Sequence, residues 1–232
     1  MYYTGVTAAN KAAYDESLRN FMLQVFNYMT LALAISGLVA LGVSMSPAAT
    51  ALIWGTPLKW VVIFAPLGMS LAFMFMIDKI SSTSAMYFLF AFAAVMGISL
   101  SSIFILYKLG SIAQVFFITA ATFGSASLYG YTTKKDLTSM GSFLIMGALG
   151  LVITSAVNIF LASSILTFIV SILAVLIFTG LTAYDTQQLK SVFDETTGEE
   201  RQKAGIIGAL NLYLNFINIF VALMQLIGEK KE

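Results

Sequence analysis

The stretch LTSMGSFLIMGALGLVITSAVNIFLASSILTFIVSILAVLIFTGLTAY (137–184) contains no charged residue. A helix needs about 20 apolar residues, at a rise of about 1.5 Å each, to cross a hydrocarbon core of about 30 Å. One helix of this length would run far past any bilayer, so a turn must intervene. NIFLASS (158–164) is its most polar portion and the place for that turn. Two spans at about 140–162 and 164–187 then form a tight hairpin with almost no loop. The alternative is one span with a re-entrant segment, which lowers the total to six.

Outward from this hairpin, charges mark the remaining span ends. Between Arg19 and Lys59 no side chain is charged, but Pro47, Gly55 and Pro57 break the second half, leaving one helix at 21–44 and a loop. Further spans read as 59–77, 84–107, 112–131 and 205–228. The first span is longer than a signal h-region, follows about twenty polar residues and ends without an A-x-A-like site, so it reads as retained. The expected architecture is an all-α polytopic membrane bundle of seven transmembrane helices at 21–232, preceded by a polar N-terminal cytoplasmic segment at 1–20. Residues 188–204 are the only sizeable polar loop, and no repeat or low-complexity linker divides the chain.

Composition agrees. Apolar residues make up 59% of the 232 and charged residues 10%, against about 25% charged in soluble domains. The lipid bilayer is therefore the first partner. Twelve basic and 11 acidic residues leave a net charge of +1, so no basic field recruits nucleic acid. With no His and no Cys, disulfides, thiolate chemistry, Ser-His triads and His-ligated zinc are excluded. An aspartyl intramembrane protease needs two intramembrane acids, and YD at 184–185 is followed by no GxGD stretch. A retinal Schiff base needs a Lys in the last helix, and 205–228 has none. The expectation is a non-enzyme without a resident cofactor.

Lys and Arg near span ends set orientation. With the N-terminus inside, the inner side collects Lys11, Arg19, Lys79, Lys134, Lys135, Lys190, Arg201 and Lys203, against Lys59, Lys108, Lys230 and Lys231 outside. The basic tail pulls weakly against an odd number of spans.

Small residues at a spacing of four allow close helix approach in lipid. Ala32, Ser36, Ala40 and Ser44 form one such stripe, Ala93, Gly97 and Ser101 a second, and Ala120 and Gly124 open a third that ends near Gly130. These stripes indicate packing, whether static or sliding during gating. In the last span Asn211, Asn215, Asn218 and Gln225 share one helix face. Amides facing lipid are costly, so the stripe faces the bundle interior, as interhelical glue or as the lining of a polar pathway.

Asp185 is the only acid inside an expected hydrophobic span. Near the C-terminal end of the sixth helix it would face the negative end of the dipole, and burial would add to that, both disfavouring the ionised form. It reads either as an interfacial acid reaching water or as a functional intramembrane carboxylate. With the N-terminus inside, Asp78 and Lys79 end the second span on the same side, so Lys79, Asp185 and Asn215 are expected at one depth, as a candidate cytoplasmic gate.

Four stretches carry a family resemblance: FMLQVFNYMT (21–30), GSASLYGYTTKKDLTSMGSFLIMG (124–147), TGLTAYDTQQLK (179–190) and ALNLYLNFINIF (209–220). With them the chain resembles the transmembrane Bax inhibitor motif (Bax inhibitor-1-like) proteins, the bacterial branch in particular. The resemblance implies seven spans and a hydrogen-bonded pair of acids on the sixth and seventh helices. In bacterial relatives that pair is taken as a pH sensor controlling a calcium leak, latched by a basic residue ending the second helix. The first acid corresponds to Asp185, the latch to Lys79 beside Asp78. The second acid is replaced here by Asn215. An Asp-Asp pair shares a proton and mutual repulsion raises one of its pKa values; an Asp-Asn pair lacks that repulsion and offers one charge to a cation that prefers several hard oxygens. Calcium would be the transported ion, with Asp185 a weak contact, and pH sensing would be weakened. The resemblance also implies a bacterial cytoplasmic membrane and, as the alternative role, modulation of a membrane-anchored ATP-dependent protease, with residues 1–20 as the handle.

Overall fold

A computed structural model describes residues 8–231, with the backbone alone for residues 8–10, Met74 and Asp78. The helices are α1 (Ala8–Met45), α2 (Pro47–Trp54), α3 (Leu58–Met76), α4 (Ser82–Leu106), α5 (Leu109–Thr132), α6 (Thr138–Leu161), α7 (Ser164–Glu195) and α8 (Gly198–Ile227), with a 3-10 turn at Ile77–Lys79. Among the described residues the sole β pairing is an isolated bridge between Tyr107 and Lys230. The chain is an integral membrane protein.

Among the described residues six helices are long and apolar enough to cross a membrane: α1, α4, α5, α6, α7 and α8. The seventh candidate is a pair, because α2 and α3 meet at 81° and make either one broken span or a re-entrant element. The region 137–184 holds all of α6 and α7 as far as Tyr184, two separate helices with no re-entrant segment. Their junction is where the turn was expected: Ala162 takes a left-handed φ of 48°, and Ser163 caps α7 by accepting the Leu166 N–H. The irregular element lies instead in the expected loop after α1. There Ser46 caps α2 by accepting the Ala49 N–H, with Pro47 in the first turn.

Three helices overrun their expected ends. At about 1.5 Å per residue, α1 with 38 residues, α7 with 32 and α8 with 30 each exceed a 30 Å core. Residues 8–20 are the first turns of α1 rather than a separate segment, and 188–204 is mostly helix rather than loop. Only Thr196 and Thr197 separate α7 from α8. Arg201 makes this sharp reversal feasible by donating to the carbonyls of Phe193 and Thr196 that end α7, groups otherwise left without partners at a helix C-terminus. Glu199 and Glu200 place negative charge in the first turn of α8.

The long helices alternate in direction. At one end Tyr14 meets Asp194, Ser82 meets Gln202 and Gln187 meets Lys135. At the other, Trp54 meets Ser101 and Lys108 meets Glu229. The start of α1 and the tail after α8 therefore lie at opposite ends. α8 is the axis: it buries fourteen residues against two in α6, and packs on α1, α4, α5 and α7. The first two small-residue stripes do pair. Ser36 Oγ donates to the Ala93 carbonyl at 2.7 Å, and a Cβ on Gly97 would lie 2.6 Å from the Ser36 carbonyl oxygen. The third stripe reads differently, since Gly124 faces open space and Gly130 alone lies hard against the Ala183 backbone of α7.

Candidate functional site: the Asp185–Asn215 seam

The site lies on the interface between α7 and α8. A Cβ on Gly208 would collide with a methyl of Leu189, so glycine there makes room for that side chain between the helices. At this seam Asn215 Nδ2 donates to Asp185 Oδ2 at 2.6 Å. Asn215 is buried and Asp185 is half-buried. Beside them a cleft of about 170 Å³ is lined by Asp185, Gln188, Leu189 and Val192 on α7 and by Ala204, Ile207, Gly208 and Asn211 on α8. Its lining runs from Asp185 toward the α7–α8 turn. The half-buried carboxylate is thus part of the cleft wall.

The overrun of α7 changes the electrostatic argument. Asp185 stands ten residues before Glu195, the last residue of the helix, about 15 Å from that end. The dipole acts mainly within the last turn, so the expected dipole contribution at Asp185 does not apply. Burial within the α7–α8 seam is the feature that sets this carboxylate apart.

Lys79 does not join the pair. It is exposed at the end of the 3-10 turn, three residues before Ser82, whose N–H donates to Glu199 Oε1 and whose Oγ donates to Gln202 Oε1. Gln202 precedes Asn215 by thirteen residues, about 20 Å along α8. The expectation of one shared depth fails because α7 and α8 continue past the point taken as their ends. Asp78's side chain lies outside the described residues.

The amide stripe is divided in its use. Asn215 holds Asp185, while Gln225 accepts from Ser171 Oγ of α7 at 2.7 Å. Asn218 donates to the Leu214 carbonyl of its own helix, and Asn211 is exposed along the cleft. Two amides thus bond across helices, and one lines the largely apolar cleft beside Asp185. Among the described residues no group of three or more His, Cys, Asp or Glu converges on a metal position. Asp185 therefore presents a single carboxylate to a passing cation, far from the six to eight oxygens of a tight calcium site.

Two polar clusters went unread in the sequence. Tyr213 is fully buried, its hydroxyl 2.7 Å from Ser36 Oγ and its ring edge-on to Phe92 at 6.1 Å. The signal was present: a lone phenol two positions before Asn215, and a hydroxyl amid the small residues of α1. At the end carrying the α7–α8 turn, the Tyr14 hydroxyl donates to Asp194 at 2.6 Å, and Arg201 lies 4.0 Å over the Phe193 ring. The overrun of the helices creates that cluster, and no local pattern announces it.

Comparison with known proteins fits this architecture. The family model described as inhibitor of apoptosis-promoting Bax1 matches residues 18–232. An uncharacterized protein of Rickettsia prowazekii is 41% identical over 99% of this chain and 98% of its own length. A protein of Caulobacter vibrioides is 43% identical, covering 94% of this chain and 92% of that protein. The inner membrane protein YbhL of Escherichia coli is 39% identical over 92% of this chain and 93% of its own length. Helical spans throughout, an axial last helix that carries LYLNFIN, and a model match reaching from the first span to the C-terminus together place the chain in the Bax inhibitor motif family of membrane proteins.

Proposed function

We propose that this protein is a cation leak of the bacterial inner membrane, carrying calcium and gated at the α7–α8 seam, with no catalytic chemistry of its own. The observation that supports it most is the Asp185–Asn215 hydrogen bond, a carboxylate held within the membrane-spanning bundle beside a cleft whose wall it forms. An ion entering that cleft meets Asp185 as its one anionic group, and parting of α7 from α8 must break this bond. The basic residues gathered at the Tyr14–Asp194 end support a cytoplasmic side for that end, and YbhL, named as an inner membrane protein, supports the same membrane for this chain.

Protonation then acts through a single carboxylate. In an acid pair, repulsion between like charges would bring one group to titrate closer to neutrality. Asn215 carries no charge and removes that coupling, so flux here responds weakly to pH. Calcium flux into liposomes carrying an enclosed calcium dye tests this: Asn215→Asp steepens the pH dependence relative to the parent. An unaltered profile, or no flux at any pH in either protein, overturns the reading.

A further inference from the structure

The helix α5 packs on α7 and α8 but barely on α4, and it makes no extended contact with α1. The gap leaves an apolar groove of about 300 Å³, with Phe216, Ile217 and Phe220 of α8 as its floor. Gly37 and Ala40 of α1 form one wall, and Ala113 and Phe117 of α5 the other. Phe117 is 71% exposed at the lateral mouth, so the groove opens sideways at membrane depth. The only hydroxyl in its lining, Ser36 Oγ, is already engaged by the Ala32 and Ala93 carbonyls and by Tyr213. A chain of methylenes meets no unsatisfied polar group there. Clefts of this size between bundle helices, apolar with few polar groups, are where elongated ligands lodge.

Among the described residues the upper rim of the groove is rich in lysine. Phe104 and Leu109 line it at the α4–α5 turn. The Lys231 Nζ donates to the Phe104 carbonyl at 2.8 Å, and Lys108 directly precedes Leu109. Lys230 is exposed beside them, paired across the bridge with Tyr107. One carboxylate, Glu229, neutralises Lys108 at 3.2 Å. The same rim carries the N-terminus of the 24-residue α5, whose cap residue Lys108 provides no side-chain hydrogen bond to the first turn. Its open N–H groups favour a phosphate. Lysine-rich rim and apolar groove lie in line, head above tail.

We propose that this groove is a binding site for one anionic phospholipid, its phosphate held at the Lys108–Lys231 rim and one acyl chain lodged between α1 and α5 on the aromatic floor of α8. The lipid fills the space that the helices leave open and ties the tail after α8 to the α4–α5 turn.

The test uses the full chain in phosphatidylcholine vesicles containing a phosphatidylglycerol with a photoactivatable acyl chain, and maps labelled residues by mass spectrometry. The expected result is strong labelling of Phe216 and Phe220, displaced by unlabelled phosphatidylglycerol and not by extra phosphatidylcholine. Phe160 of α6, 88% exposed, reports ordinary lipid contact. Gly37→Leu projects a side chain from the α1 wall of the groove, where a Cβ meets nothing within 4 Å; it should abolish labelling of the α8 floor and leave Phe160 labelled, which also reports a folded bundle. Lys231→Gln should weaken retention of phosphatidylglycerol about fivefold. Floor labelling that matches Phe160, that both lipids displace equally, or that survives Gly37→Leu overturns the proposal.

Discussion

Gly124 and Gly130 lie on one helix and look alike in sequence, yet they face opposite surroundings. A methyl on Gly124 enters open space, whereas one on Gly130 drives into the Ala183 backbone of α7. Gly130→Ala should therefore destabilise the bundle by about 1–3 kcal/mol, while Gly124→Ala is neutral or slightly stabilising, since Ala is the better helix former. Thermal unfolding in detergent compares the two. Tyr213→Phe removes the hydroxyl that meets Ser36 and should cost about 0.6 kcal/mol, the average for interhelical hydrogen bonds in membranes, and at most about 1.7 kcal/mol. Period and residue type brought Asp185 and Asn215 to notice, and they do meet. Their partners were harder to read, because one sequence period does not say which of two small residues faces a neighbour.

Helix length governs the next scale. Charges mark where lipid ends, and they were read as marking where helices end. In α1, α7 and α8 the helix goes on past the charges, because Tyr14, Phe193 and Arg201 pack together beyond the apolar core. That is why Lys79 and Asp185 occupy different levels. It also bears on residues 1–20 as a handle for a protease: their removal deletes Tyr14 and its bond to Asp194. Truncation should lower the unfolding temperature, as should Tyr14→Phe to a smaller extent, and an unchanged melting curve for both would show that this end contributes nothing. At the start of α6, the Thr138 hydroxyl and backbone N–H hold the Asp136 carboxyl below its usual range. A depressed carboxylate stabilises above its unfolded pKa, and that contribution disappears as pH falls through the folded value. Asp136→Asn should thus narrow the loss of stability on acidification, measured as melting temperature against pH, by a small amount given full exposure of the group.

The whole molecule is organised around its last helix, with α1, α4, α5 and α7 packed against α8 and α6 outside them. Membrane class, hairpin and span order were legible because lipid leaves a blunt signature in composition and in the spacing of charges. The bend between α2 and α3 was not, since Pro and Gly announce a break without saying that a short capped helix fills it. Start and tail lie at opposite ends, so reporters fused to each should show the N-terminus cytoplasmic and the C-terminus external; both on one side would contradict the topology. The central claim is that a lone carboxylate at the α7–α8 seam controls cation passage. Calcium flux in liposomes should be present for the parent protein and altered, with its remaining pH response lost, in Asp185→Ala. Identical flux and an identical pH profile in the two proteins would contradict the account.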